Sequence, residues 1–122
     1  MPSVKTKAMG EVIFKLSDDG KRIFFLMALE DIDNVTVAHI HLGKEGENGP
    51  VVVTLFGPLQ KPVSIEEAMF KGTITRQDLE GPLAWRSIST LYREIRRENT
   101  YVNVHTVQYP DGEIRGQIFE KN

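Results

Sequence analysis

The chain has 122 residues, a length typical of one domain with a single hydrophobic core. Its formal net charge of −2 gives no electrostatic reason to expect a nucleic acid as a partner, and no apolar run reaches the roughly 20 residues of a membrane span. The absence of cysteine excludes disulfides, thiolate metal ligands and cysteine nucleophiles, and it leaves the compartment undetermined.

The first half of the chain has the alternating and β-branched patterns of strands. Turn residues at 18–21 separate two apolar runs, which predicts a hairpin. The elements predicted here are a hairpin over 9–29, a break at 31–34, a strand at 35–42, a polar glycine-rich loop at 43–50 and a strand at 51–56.

The second half mixes one helix with further strands. Ser64 and Glu67 have the spacing of a capping box, which predicts a short helical turn to about Phe70. Apolar residues at helical spacing predict a helix near 87–98, with Trp85 and Tyr92 packing it on the sheet. Two strand patterns flank the turn residues Tyr109-Pro-Asp-Gly112, so the runs at 101–107 and 113–119 predict a C-terminal hairpin.

These elements together predict a mainly β fold. Seven or so short strands with one inserted helix are typical of an antiparallel Greek-key β-sandwich or barrel. No internal repeat or low-complexity segment divides the chain, so residues 1–122 are expected to form a single domain.

Three histidines are the only concentration of reactive side chains. His39 and His41 alternate along one predicted strand, so both must point to the same face of a sheet. His105 lies on a second predicted strand. The aliphatic sets are expected to face the core, which places the histidines on the outer face and lets the imidazoles converge if the strands are neighbours.

The register of the C-terminal hairpin adds further residues to this face. A three-residue loop at 110–112, with Gly112 at positive φ, puts Asn103, Arg115 and Gln117 on the same face as the histidines. In that register His105 lies opposite Gln117 and diagonal to Arg115. The 43–50 loop follows His41 directly and is expected to fold over the patch.

Two interpretations of the patch stay open. Three imidazoles and a water suit one copper or zinc ion, and Asp33, Glu45 or Glu47 are candidate oxygen ligands. Alternatively, the histidines bind backbone groups and the long loop in a purely structural role. Asn103 either orients a histidine or fastens a loop. Arg115 either steers an anion or holds the loop through a carboxylate.

Several motifs resemble the CHRD domain, a module found in chordin and in many bacterial secreted proteins. The matching stretches are Ala38-His-Ile-His-Leu-Gly43, Asn48-Gly-Pro-Val-Val52, Lys71-Gly-Thr-Ile74, Tyr101-Val-Asn-Val-His-Thr106 and Asp111-Gly-Glu-Ile-Arg-Gly-Gln-Ile118. The resemblance implies an immunoglobulin-like or superoxide-dismutase-like β-sandwich, usually in an extracellular setting, with no settled activity.

The N-terminal segment departs from that family. Residues 2–10 look like an early family motif that normally follows a further strand, and no such strand precedes it here. Either the domain tolerates this loss or a sheet edge is left open, and an open edge would pair with a homodimer partner or with a strand supplied in trans.

The histidine pattern is also similar to the copper site of copper-zinc superoxide dismutases. In that likeness His39, His41 and His105 would be copper ligands, and Arg115 would lie beside the metal. The histidines of a bridging position and of a zinc site are missing, as are that family's cysteines.

The function predicted first is a non-catalytic CHRD-like binding module with a copper or zinc site. The alternatives are a copper-dependent redox enzyme of the superoxide dismutase kind and a metal-free structural or adhesive module. No membrane insertion is expected under any of the three.

Overall fold

The protein, described here over residues 6–117 by a computed structural model, is built on one antiparallel sheet that curls into a half-barrel. This confirms the predicted mainly β, antiparallel architecture with one helix. The elements are β1 (Met9–Leu16), β2 (Ile23–Leu42), β3 (Val51–Phe56), β4 (Val63–Ile74), α1 (Ile88–Arg96), β5 (Thr100–Thr106) and β6 (Ile114–Gln117), with short 3-10 turns at Arg76–Asp78 and Gly81–Leu83.

The long strand β2 organises the sheet. Its first half pairs with β1 and with β4, and its second half pairs with β5 and with β3. β6 extends the sheet beyond β5. Each half of β2 is therefore paired along both of its edges, which makes β2 the central strand of the curled sheet.

The predicted break at 31–34 was wrong, because β2 runs through it as one strand of 20 residues. Asp31 and Asn34 adopt positive φ angles of 53° and 57°, a conformation that Asp and Asn tolerate better than most residues. The fully buried Ile32 lies between them and keeps its pairing with Ile65. A register shift follows in the pairing with β4, and Val35 beyond it is fully buried in the core.

The predicted helical turn at 64–70 was also wrong, because these residues belong to β4. Ten residue pairs join β4 to residues 23–35 of β2, and Ile65 and Ile74 are buried on the core side. Backbone pairing over this length outweighs a local capping signal, since helix propensity is a weak preference that tertiary contacts override.

The predicted helix is confirmed as α1, and Ser87 occupies its N-cap position. Its apolar stripe is buried against the sheet, which stabilises the fold by about 1.5–3 kcal/mol for each side chain fully removed from water. Trp85, by contrast, is 88% exposed and does not pack the helix on the sheet, whereas Tyr92 is half-buried against the core. The buried residues of the stripe are Ile88, Leu91 and Ile95.

Across residues 6–117, no helix combines the length and the apolar character needed to cross a membrane.

Candidate metal site

The three histidines converge, as the sequence predicted. His39 and His41 lie on β2, and β5 is its antiparallel neighbour, with His105 paired to Val37. The ring centroids are 5.1 Å apart for His39 and His105, 5.6 Å for His39 and His41, and 6.1 Å for His41 and His105. The strand pairing therefore brings together residues that are 66 positions apart in the chain.

Backbone carbonyls fix the proton positions on two of the rings. His41 Nδ1 lies 2.9 Å from the Gly49 carbonyl oxygen, and His105 Nδ1 lies 2.7 Å from the Pro110 carbonyl oxygen. A carbonyl can only accept, so each Nδ1 carries the proton and donates it. In its neutral form, each of these rings therefore presents the lone pair of Nε2.

These Nε2 atoms are the candidate ligand atoms of His41 and His105. His41 Nε2 is buried and has no hydrogen-bond partner among the described residues. His39 Nδ1 lies 3.3 Å from His105 Nε2, which is an acceptor, so in the metal-free protein His39 Nδ1 is the donor. A buried imidazole nitrogen without a partner is costly, and a metal ion is one group that would satisfy it.

The spacing suits a single ion after a small movement. One nitrogen from each ring falls within a set whose members all lie within 4.8 Å of one another. An ion about 2.0–2.1 Å from each nitrogen needs nitrogens about 3.3–3.6 Å apart. One pair already has that separation, so closure requires shifts of roughly 1 Å, which ring rotation supplies.

Burial and the neighbouring imidazoles favour the neutral forms of His39 and His41. Desolvation is the main reason that the pKa of His39 lies below the usual 6.5, and the neighbouring imidazoles lower it further, while the carboxylate of Glu80 opposes the shift. Desolvation also lowers the pKa of His41, against the opposing effect of its bond to the Gly49 carbonyl. Neutral imidazole is the form that binds a metal, so both rings are available at neutral pH.

The site is more enclosed than the open outer face that the sequence predicted. His41 is 9% exposed and Asn103 is 4% exposed. The reason is the 43–50 loop, which does fold over the patch: Gly49 accepts from His41 Nδ1 and donates its N–H to the Tyr101 hydroxyl at 2.9 Å.

Arg115 fastens this loop, in keeping with the structural role considered for it. Its guanidinium donates to Asn48 Oδ1 at 2.9 Å, to the Lys44 carbonyl at 3.2 Å and to the Glu47 carbonyl. The partners are carbonyl and amide oxygens instead of the expected carboxylate. The guanidinium carbon also lies 3.5 Å from the centroid of the Tyr101 ring.

Tyr101 transmits this support to the histidine cluster. Its ring stacks on that of His41, with the centroids 4.8 Å apart and an angle of 8° between the planes. Arg115, Tyr101 and His41 therefore form a continuous stack, which positions His41 from one side while the Gly49 carbonyl fixes it from another. The sequence drew attention to Arg115 but missed Tyr101, whose only signal was its place on the histidine face of β5.

The register of the C-terminal hairpin differs from the prediction. Asn103 pairs with Arg115, and Gln117 pairs with Tyr101, so Gln117 does not lie opposite His105. The turn between β5 and β6 is also longer than the three residues predicted. The side chain of Gln117 lies outside the described part of the structure.

The longer turn explains the role of Asn103. Its amide nitrogen donates to the Asp111 carbonyl at 3.0 Å, which fastens the turn that carries Pro110, the hydrogen-bond partner of His105. Gly112 has a φ of 126°, and a Cβ at this position would lie 2.0 Å from Asn103 Oδ1. Glycine is therefore required by both the backbone angle and the close approach.

The acidic residues near the site are not part of the histidine cluster. Among the described residues the candidate metal-binding group contains only the three histidines. Glu47, one of the acids proposed from the sequence, accepts a hydrogen bond from the Lys44 N–H at 2.8 Å instead. Glu80, which the sequence did not single out, accepts from Thr54 Oγ1 at 2.6 Å, and Thr54 is the β3 partner of His39.

Fold and cluster together define an antiparallel β-sheet domain with three imidazoles gathered under a loop. The chain belongs to the CHRD domain family, whose sequence model matches residues 1–118, and the resemblance found in the motifs is thereby confirmed. No curated protein and no solved structure matches the chain significantly. A binding module is the class of function that this family suggests.

Proposed function

We propose that this protein is a binding module that holds one copper or zinc ion through His39 Nδ1, His41 Nε2 and His105 Nε2. The observation that carries the proposal is the buried Nε2 of His41, which has no hydrogen-bond partner among residues 6–117, on a ring whose centroid lies 5.6 Å from that of His39 and 6.1 Å from that of His105. Imidazole nitrogens suit copper and zinc, and affinity for such a site rises from zinc to copper.

The hydrogen bonds of the metal-free protein support this ligand set. The protons on Nδ1 of His41 and His105 need not move when an ion binds, because the backbone carbonyls already hold them there. Only His39 must change, and its proton shifts from Nδ1 to Nε2 as Nδ1 becomes a ligand. Two of the three ligands are thus arranged in advance, which lowers the cost of binding.

Titration calorimetry and metal analysis of the purified protein test the proposal. We expect one equivalent of Cu(II) or Zn(II) to bind. His105→Ala should weaken binding by more than about 100-fold, because losing a residue that merely orients a ligand already costs about 10–100-fold. The matched control is Val107→Ala, a 57% exposed position just beyond β5, which should leave the affinity unchanged.

Nitrogen-15 NMR of the zinc-loaded protein tests the ligand atoms separately. His41 and His105 should each show a protonated Nδ1 and a metal-bound Nε2, and His39 should show the reverse. Sub-stoichiometric binding by the wild type, or unchanged affinity in His105→Ala, would contradict the metal site and leave the histidines in the structural role considered as an alternative.

A second candidate, a copper-dependent redox enzyme, is favoured by one observation. The candidate cluster offers three protein ligands among the described residues, which would leave a fourth position for water or a small molecule, as catalytic metal sites do. Against it, the guanidinium of Arg115 is engaged by the 43–50 loop. Superoxide turnover by the copper-loaded protein separates the two functions, and we expect none beyond that of free copper.

A further inference from the structure

The strand β1 lies at an edge of the sheet, and it contributes no ligand to the metal site. Within the described chain β1 pairs with β2 alone. One row of its backbone N–H and C=O groups therefore has no strand partner there, and such a row is a template for another strand. Two apolar side chains on the outer face of β1 are also exposed, Met9 by 60% and Ile13 by 38%.

An apolar groove of about 380 Å³ opens beside this edge, between β1 and β6. Its wall includes Val12 of β1, Met27 and Leu29 of β2, Val104 of β5 and Ile114 of β6. An edge strand with unpaired backbone groups and an apolar surface beside it favours the addition of a further strand, which would cover both.

We propose that two copies of this chain pair antiparallel through β1, with Ile13 of one copy opposite Ile13 of the other. The charges of the strand select this register. It places the exposed Glu11 opposite Lys15 of the second copy, and the two-fold symmetry repeats the pair. The exposed edge of β1 is thus complementary in charge to the same edge of a second copy.

Neighbouring registers lack this complementarity. A pairing centred on Glu11 or on Lys15 sets like charges opposite one another, which is destabilising. A pairing centred on Val12 or on Phe14 leaves both charges opposite uncharged residues. A shift by a single residue sends the apolar set of one strand to the outer face.

The same register joins the inner faces. Val12, which is half-buried and lines the groove, comes opposite Phe14 of the second copy, and Phe14 belongs to the core. Cross-strand pairs of an aromatic and a β-branched side chain stabilise antiparallel strands. The dimer would therefore continue the sheet from one copy into the next and cover part of the groove.

Sedimentation equilibrium of the full chain, with a charge-swap cycle, tests the pairing. The wild type should dimerise reversibly, and Glu11→Lys or Lys15→Glu should each raise the dimer Kd about tenfold or more, since two attractive pairs become repulsive. The double variant should return the Kd to within about threefold of the wild type, since opposite charges again face one another. All these positions are exposed, and far-UV circular dichroism verifies that each variant is folded.

A thiol test uses the absence of native cysteine. Ile13→Cys should form a disulfide-linked dimer under mild oxidation, because residue 13 meets its own copy. Met69→Cys, on β4 and 66% exposed, is the matched control and should cross-link at least about tenfold more slowly because β4 is not at the pairing edge.

A wild type that stays monomeric at millimolar concentration, a double variant that does not recover, or equal cross-linking at positions 13 and 69 would overturn the β1 pairing. Each of these results leaves the metal proposal intact, since that is judged on metal stoichiometry alone.

Discussion

Replacing Arg115 with alanine tests whether one guanidinium holds the 43–50 loop over His41. The substitution removes three hydrogen bonds to loop oxygens and the stacking on Tyr101. Hydrogen bonds contribute about 1 kcal/mol each and an exposed cation–π contact about 0.5–1 kcal/mol. Because Arg115 is only half-buried and these contributions overlap, we expect a loss of about 2 kcal/mol in the stability of the loop.

Amide hydrogen exchange measures this loss directly. The Gly49 N–H donates to the Tyr101 hydroxyl, so it exchanges when the loop opens. A change of about 2 kcal/mol corresponds to roughly 30-fold faster exchange at Gly49. Arg115→Lys should lose most of the protection too, since an ammonium group lacks the planar fork that reaches several oxygens.

Arg22→Ala is the matched control for this prediction. Arg22 also lies over an aromatic ring, that of Phe24, with the guanidinium carbon 5.7 Å from the ring centroid, but it is remote from the loop. It should leave exchange at Gly49 unchanged. Exchange within about threefold of wild type in Arg115→Ala would refute the argument that this side chain fastens the loop.

Three further predictions concern the turn, pH and metal. Gly112→Ala should destabilise the protein by about 2–4 kcal/mol in a urea titration, because its Cβ would overlap the Asn103 amide and its φ is positive. The control Gly116→Ala, with open space around the added Cβ, should change stability by less than about 0.5 kcal/mol. The pKa values of His39 and His41 are lower in the folded protein than the usual 6.5, so near and below that pH the unfolded chain binds more protons than the folded protein does. The metal-free protein should therefore lose stability as the pH falls from about 7 to 5. A free energy of unfolding that does not change over this pH range in chemical denaturation would count against neutral buried rings. Zinc or copper at 100 times the wild-type Kd should raise the free energy of unfolding by about 2.7 kcal/mol in the wild type and by less than about 0.5 kcal/mol in His105→Ala, as thermal melts can show.

Local sequence patterns correctly predicted those elements in which the pattern matches the packing of the element in the fold. The helix near 87–98 was foreseen because its apolar stripe is the face that the fold buries. The hairpin of β1 and β2 was foreseen because turn residues lie between two alternating runs. The capping-box spacing of Ser64 misled, because its segment pairs with a strand that is distant in the sequence. No local pattern carries that information.

For the candidate site, too, local patterns predicted some features and long-range pairing decided the others. The alternation of His39 and His41 settled that they share a face, and the strand pattern around His105 placed it on a strand of the same kind. The approach of β5 to β2, however, depends on long-range pairing, as does the stack of Arg115 and Tyr101 that supports His41.

The sequence by itself determined which side chains could act together, because the two-residue repeat of a strand assigns each one to a face. Only the tertiary structure decided their distances, their burial and the position of their protons. Those depend on which strand lies beside which and on the loop carbonyls that reach the rings, and such contacts join residues far apart in the chain.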